Sequence, residues 1–309
     1  MYWLALVIAS VSFLELILGA VLGIARAVPA APDWTKPAAL FRMPLAPSPA
    51  GFAEGHQIVA FLLAFLTVAL AIAVLVREDR EWVKLLAVVA VLVVLADVAL
   101  GILAIFDFAG GALTAAHSLT AQIFFCITVS LAVFTSPKWR WEGSKIEPAR
   151  LRPLRWGALA FSIVVLAETV FGAINLDVSL NPLAGDGCAR SIGIAPHIVL
   201  GAAVLVCVLY LLVRALEVQP RDPAQLLPVI GLVTLVLIQL FLGVGVYMMI
   251  HFSGGVVRLI APIAIAMVAH LALGALVLAG SVVTTCLAYR DLARPGVLMT
   301  PLAATQASQ

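Results

Sequence analysis

The stretch GFAEGHQIVAFLLAFLTVALAIAVLVR, residues 51–77, carries no charged side chain from Ile58 to Val76. An uninterrupted apolar run of this kind matches the roughly 20 residues that an α-helix needs to cross a bilayer. Just before it stand Glu54 and His56, two ionisable groups at the mouth of a lipid-facing segment. Aliphatic, aromatic and sulfur residues make up 64% of the 309 positions and charged residues 11%. The mean hydropathy of +1.16 lies far above that of a soluble domain and indicates a polytopic membrane protein. Windows like the first recur at 2–24, 53–76, 85–106, 115–135, 157–176, 195–216, 227–250 and 259–287. These runs are too long and too uniformly apolar for alternating strands, so an all-α architecture of eight transmembrane helices is expected, not a barrel.

The first window lacks a basic leader and a small-residue cleavage site, so it reads as a retained span. With the N-terminus inside, 13 of the 18 Lys and Arg residues fall on the inner side, among them Arg77, Arg80, Lys84, Lys138, Arg155, Arg214 and Arg290. The outer side holds Arg26, Lys36, Arg42, Arg190 and Arg258. This asymmetry places both termini in the cytoplasm, in the cell membrane. The formal charge of +2 is thus a topology signal, and no nucleic-acid partner is implied; the partner read from composition is the lipid bilayer. Of the four cysteines, only Cys188 falls in an outer loop, and no disulfide framework is expected.

The chain repeats itself. ELILG (15–19), DVALG (97–101), ETVFG (168–172) and QLFLG (239–243) share a polar residue followed, four places on, by glycine. Each lies in an odd-numbered span, and the next span carries one histidine with a small residue four places later: HQIVA (56–60), HSLTA (117–121), HIVLG (197–201) and HLALG (270–274). The basic stretch SPKWRWEGSKIEPARLRPLRW (136–156) divides the chain. The expected organisation is an N-terminal four-helix bundle over 1–135, a basic cytoplasmic linker over 136–156, a C-terminal four-helix bundle over 157–290 and a cytoplasmic tail over 291–309. An even number of spans per half gives both halves the same orientation, hence two pseudo-twofold related bundles.

Four of the five histidines recur in register inside spans. An ionisable group costs roughly 2.5 kcal/mol or more at the centre of a spanning helix, a cost met mostly along pathways and at cofactors. Histidines from neighbouring helices of one bundle can supply both axial nitrogens to a heme iron. The expected pairs are His56 with His117, and His197 with His270, all toward the outer side. Gly19, Gly101, Gly172 and Gly243 admit two readings: room for a flat macrocycle near the backbone, or a close helix crossing. Glu15, Asp97, Glu168 and Gln239, one turn deeper, are read as links between helices or as partners for the histidines' second ring nitrogen. No Walker loop, dinucleotide fingerprint, His-Glu-x-x-His motif or Cys-x-x-Cys-His attachment occurs, so any heme is non-covalent.

One histidine in each even-numbered span, the preceding phrase ending in glycine and two similar halves over some 300 residues together resemble the heme A synthase family of terminal-oxidase assembly. The likeness covers the whole chain and is strongest over 97–125 and 239–278. The resemblance implies oxidation of the C8 methyl of heme O to a formyl group, giving heme A, through hydroxylated intermediates. It further implies heme O held near His56 and His117 in the N-terminal half, supplied by a heme O synthase. A heme b ligated by His197 and His270 in the C-terminal half would then accept electrons from a ferredoxin-like or quinol donor. A homo-oligomer is compatible with such a scaffold. The family's Glu-x-x-His-Arg is here EGHQ (54–57), and the cysteine pair of many bacterial members is absent from 26–51. Glu54 is read either as a proton-handling carboxylate beside His56 or as a charge favoured at a helix start. Two other functions share parts of this pattern: a di-heme membrane cytochrome that only moves electrons, and a heme-free transporter or assembly factor.

Overall fold

A computed structural model describes residues 1–26, 49–105, 111–137, 139, 148–180, 194–217, 223–252 and 261–290. The connection 27–48, Cys188 and the tail 291–309 lie outside the described residues. Among those described the secondary structure is helical throughout: α1 (Tyr2–Arg26), α2 (Pro49–Arg77), α3 (Glu81–Ile105), α4 (Gly111–Thr135), α5 (Pro148–Leu180), α6 (Ala195–Glu217), α7 (Pro223–Phe252) and α8 (Ala261–Tyr289). All eight are long and apolar enough to cross a membrane, so the expected all-α, eight-span, multi-pass membrane architecture is the observed one.

The helices outrun the hydropathy windows where charged turns continue them. α3 begins at Glu81, whose carboxylate suits the positive end of the helix dipole and accepts a 2.8 Å contact from Lys84 Nζ one turn on. α5 begins at Pro148, inside the basic stretch, because Arg150, Arg152 and Arg155 are good helix formers that a hydropathy window rejects. The α2–α3 connection is held by Glu78. Its Oε1 accepts from the backbone N–H of Asp79 and Arg80, and its two oxygens grip Arg80 Nε and Nη2 at 2.9 Å each. Arg80 Nη2 also donates to the Phe134 carbonyl at 2.8 Å, satisfying the end of α4.

Within the first half α1 packs on α2, α2 on α3, α3 on α4, and α4 closes back on α1; α5 to α8 form the same ring. Between the halves α4 meets α8, α4 meets α5 and α1 meets α8. Exchanging the halves leaves this set of contacts unchanged, as a twofold axis beside α4 and α8 requires. The N-terminal core holds Ile8, Leu70, Val74, Val83, Ala90 and Leu131. Its C-terminal counterpart holds Leu154, Phe161, Val208, Leu211, Leu232 and Val236. A smaller cluster of Leu16, Phe125, Ala275 and Ala279 joins α1, α4 and α8 across the division. Arg155 Nε donates to the Ala288 carbonyl at 2.8 Å, tying the start of α5 to the end of α8.

Both large cores lie toward the end opposite the histidines. Phe161 is fully buried there. In a bilayer an unfolded helix stays in hydrocarbon, so Phe161→Ala loses packing but little transfer energy. The expected cost is about 2 kcal/mol, read as a lowered thermal midpoint of the detergent-purified protein.

Candidate functional site

A polar residue and a glycine four places apart lie on one helix face, one turn from each other. The structure shows what that face receives. Glu15 and Gly19 on α1 meet His56 of α2, and Asp97 and Gly101 on α3 meet His117 of α4. Glu168 and Gly172 on α5 meet His197 of α6, and Gln239 and Gly243 on α7 meet His270 of α8. Each hairpin thus builds the same notch: the glycine makes its floor, the polar side chain its wall, and the next helix's imidazole fills it. A Cβ added at Gly19, Gly101, Gly172 or Gly243 would stand 3.4, 3.1, 3.1 or 2.9 Å from the Cε1 of the facing histidine. The close approach served by these glycines is therefore that of an imidazole ring.

Three notches carry a carboxylate. Nδ1 of His56 is 2.8 Å from Glu15 Oε1, Nδ1 of His117 is 2.9 Å from Asp97 Oδ1, and Nδ1 of His197 is 3.0 Å from Glu168 Oε1. These contacts have ion-pair length; His117 adds an aligned hydrogen bond, its Nδ1 lying 3.0 Å from the Asp97 carbonyl oxygen. A carboxylate or carbonyl only accepts, so the proton belongs on Nδ1 and the lone pair on Nε2. This is the arrangement in which a second partner fixes the tautomer and orientation of a metal-binding imidazole. The fourth notch differs. Gln239 Nε2 lies 3.3 Å from Nε2 of His270, so a neutral carboxamide approaches the other ring nitrogen and no carboxylate faces Nδ1. Gly274, four residues after His270, makes room for this carboxamide: a Cβ there would be 3.1 Å from Gln239 Nε2.

The histidines then meet in pairs across hairpins. The ring centres of His56 and His117 are 6.1 Å apart with planes at 81°; those of His197 and His270 are 6.1 Å apart at 85°. A metal held about 2.0 Å from each of two facing ring nitrogens puts the ring centres roughly 6 Å apart. Among the described residues no group of three or more His, Cys, Asp or Glu side chains could hold a metal ion. Two imidazoles alone suit a metal that brings its other ligands with it, as an iron porphyrin does. Two imidazoles at this separation, with a carboxylate at ion-pair distance from Nδ1 in three of the four, are compatible with axial heme ligation.

Glu54 is buried, at 7% exposure, with Oε2 unpartnered among the described residues. α2 runs unbroken through it, so Glu54 and His56 leave the helix about 200° apart and do not share a face. In the sequence, the regular register of histidine against glycine in every hairpin is the signal for this pairing. Comparison with protein-family models, curated proteins and solved structures finds no match.

The notch geometry orders four substitutions. Gly243→Ala forces a ring to move, Gly101→Ala and Gly172→Ala crowd one, and Gly19→Ala is nearly accommodated. Overpacking of this kind costs about 1–3 kcal/mol, so the thermal midpoint should fall most for Gly243→Ala and least for Gly19→Ala.

Proposed function

We propose that this protein binds two hemes, one in each four-helix half, and acts as a heme A synthase-type oxidoreductase. The observation that carries the reading is the pair of imidazole pairs at 6.1 Å. His56 and His117 would hold heme O as substrate and release it as heme A, while His197 and His270 would hold a resident heme b. When bound, the iron porphyrins supply the redox chemistry that converts the C8 methyl to a formyl group. The chain's own contribution is to fix ring orientation through Glu15, Asp97 and Glu168, and to keep the pocket within the bundle.

The two halves differ in a way that favours a reaction in the first. Two places before His56 stands the buried acid Glu54, and two places before His197 stands Ala195. Glu54 leaves α2 about 200° from His56, so the role proposed for it is proton handling away from that ring and not at the iron the ring would hold. The near-identical geometry of the two histidine pairs supports a second reading, a di-heme b cytochrome that only transfers electrons, for instance from a quinol.

Purified protein should show a Soret band and about two hemes per chain. His56→Ala or His117→Ala should leave about one heme, in the C-terminal half, and His197→Ala or His270→Ala about one in the N-terminal half. Mass analysis of the extracted pigment separates the two readings: hydroxyl or formyl substituents support the synthase, and protoheme alone supports electron transfer. Glu54→Gln should retain both hemes and leave the pigment as unoxidised heme O. A purified chain without iron porphyrin would overturn both readings in favour of a transporter or assembly factor.

A further inference from the structure

Three notches present an acid to their histidine and one presents a carboxamide. The N-terminal pair is backed by two carboxylates, Glu15 at His56 and Asp97 at His117. The C-terminal pair is backed by one, Glu168 at His197, with Gln239 at His270. All four partners stand four residues before the glycine that faces their histidine, so the two pairs differ here by one charge, with Gln239 lying at Nε2 of its ring and the three acids at Nδ1. Turning the Gln239 carboxamide end for end offers Oε1 to a ring N–H, and the partner remains neutral.

A carboxylate beside Nδ1–H strengthens the imidazole as a donor and adds negative charge in surroundings that screen it poorly. Both effects favour the ferric over the ferrous state of an iron on the same ring, since the ferric centre carries one more positive charge. Resting on the heme-binding reading, we propose that Gln239 makes the C-terminal pocket the site that holds an electron more tightly, with Glu15 and Asp97 biasing the N-terminal pocket toward the oxidised state. Gln239 would be a positioning residue acting through His270. The couple concerned is a single one: the ferric heme takes up one electron and becomes ferrous, without loss or gain of a bond in the protein.

The test is spectroelectrochemical titration of the intact purified protein loaded with protoheme in both halves, so that porphyrin substituents do not differ. Dithionite and ferricyanide serve as reductant and oxidant, and His117→Ala and His270→Ala identify which component belongs to which half. The expected result is two one-electron components, the C-terminal one at higher potential. Gln239→Glu should lower that component by about tenfold in the ferric-to-ferrous ratio, about 59 mV for one electron, and leave the N-terminal one in place. Glu15→Gln should raise the N-terminal component by a similar factor, which keeps the proposal testable if Gln239→Glu fails to fold. Components that stay at wild-type potential in both variants, with the heme bands intact, would overturn the proposal and leave heme binding standing. A wild-type chain that takes up no protoheme would overturn the heme-binding reading itself, and the proposal with it.

Discussion

An imidazole inside a bilayer needs a polar partner from within the protein, because no water is there to satisfy its ring N–H. In this chain the partner comes from the preceding helix of the same hairpin, and the rest of the architecture follows from that requirement. For an acid on one helix to reach Nδ1 on the next at 2.8–3.0 Å, the helices must approach closely at that level. A Cβ one turn above the acid would then press on the ring, from bare contact at Gly19 to a clash at Gly243, and that position is glycine. The five-residue phrase is thus the smallest sequence that builds a socket for a neighbour's histidine. Four copies give four sockets at one end of the bundle. Ring closure of each half, α4 on α1 and α8 on α5, brings the filled sockets face to face.

The two larger apolar cores lie on the far side of the histidine level. Leu70, Val74, Val83 and Leu131 in one half, and Phe161, Leu211 and Leu232 in the other, fill the interior away from the histidines. Buried arginine contacts and the Glu78 turn lock the helix ends on that side. At the level of the histidines glycines and polar side chains line the helix contacts, and beyond them Ile24, Ile263 and Met267 form a smaller apolar cluster. A bundle that clamps its helices at one end can leave a separation between rings at the other without losing the register of the sockets. Leu16, next to Glu15, and Ala275, next to Gly274, pack in the cluster that joins the halves, so the two sites are braced against each other through α1, α4 and α8.

The eight spans and the histidine register were legible in the sequence because both depend on local periodicity: length of apolar run for the first, a spacing of four for the second. Pairing of the polar residue with the next helix's histidine was legible as an option, since matched depth in consecutive spans allows it. What periodicity could not reveal was direction. Whether the glycine face opens on a ligand, a backbone or a ring depends on how each helix is rotated in its bundle, and rotation is set by packing against neighbours distant in sequence. The orientation of Glu54 depended on whether α2 was regular at its start; nothing in EGHQ fixes that, and the helix proves continuous from Pro49. The start of α5 at Pro148 was hidden because its arginine-rich turns interrupt the apolar run while still favouring a helix.

A duplicated scaffold makes each departure from symmetry informative, because the common parts serve as a control. Two departures stand out at the histidine level, and they fall in different halves. The N-terminal half adds a buried carboxylate, Glu54, where its counterpart has Ala195; the C-terminal half replaces an acid by Gln239 and enlarges the space beside it with Gly274. A purely structural role for the four sockets would be served equally well by four acids, since Glu15, Asp97 and Glu168 all reach their rings with similar contacts. Removing one charge lowers the desolvation cost of that pocket, and it changes the nitrogen approached, since the Gln239 carboxamide lies against Nε2 of His270 where the three acids lie against Nδ1. The change is better understood as a difference in what the two pockets do with charge: one keeps extra negative groups around its histidines, the other holds fewer. Under the proposed function that division would suit a pair of sites with unequal tasks, one reacting and one supplying electrons, set by two side chains on a framework otherwise repeated.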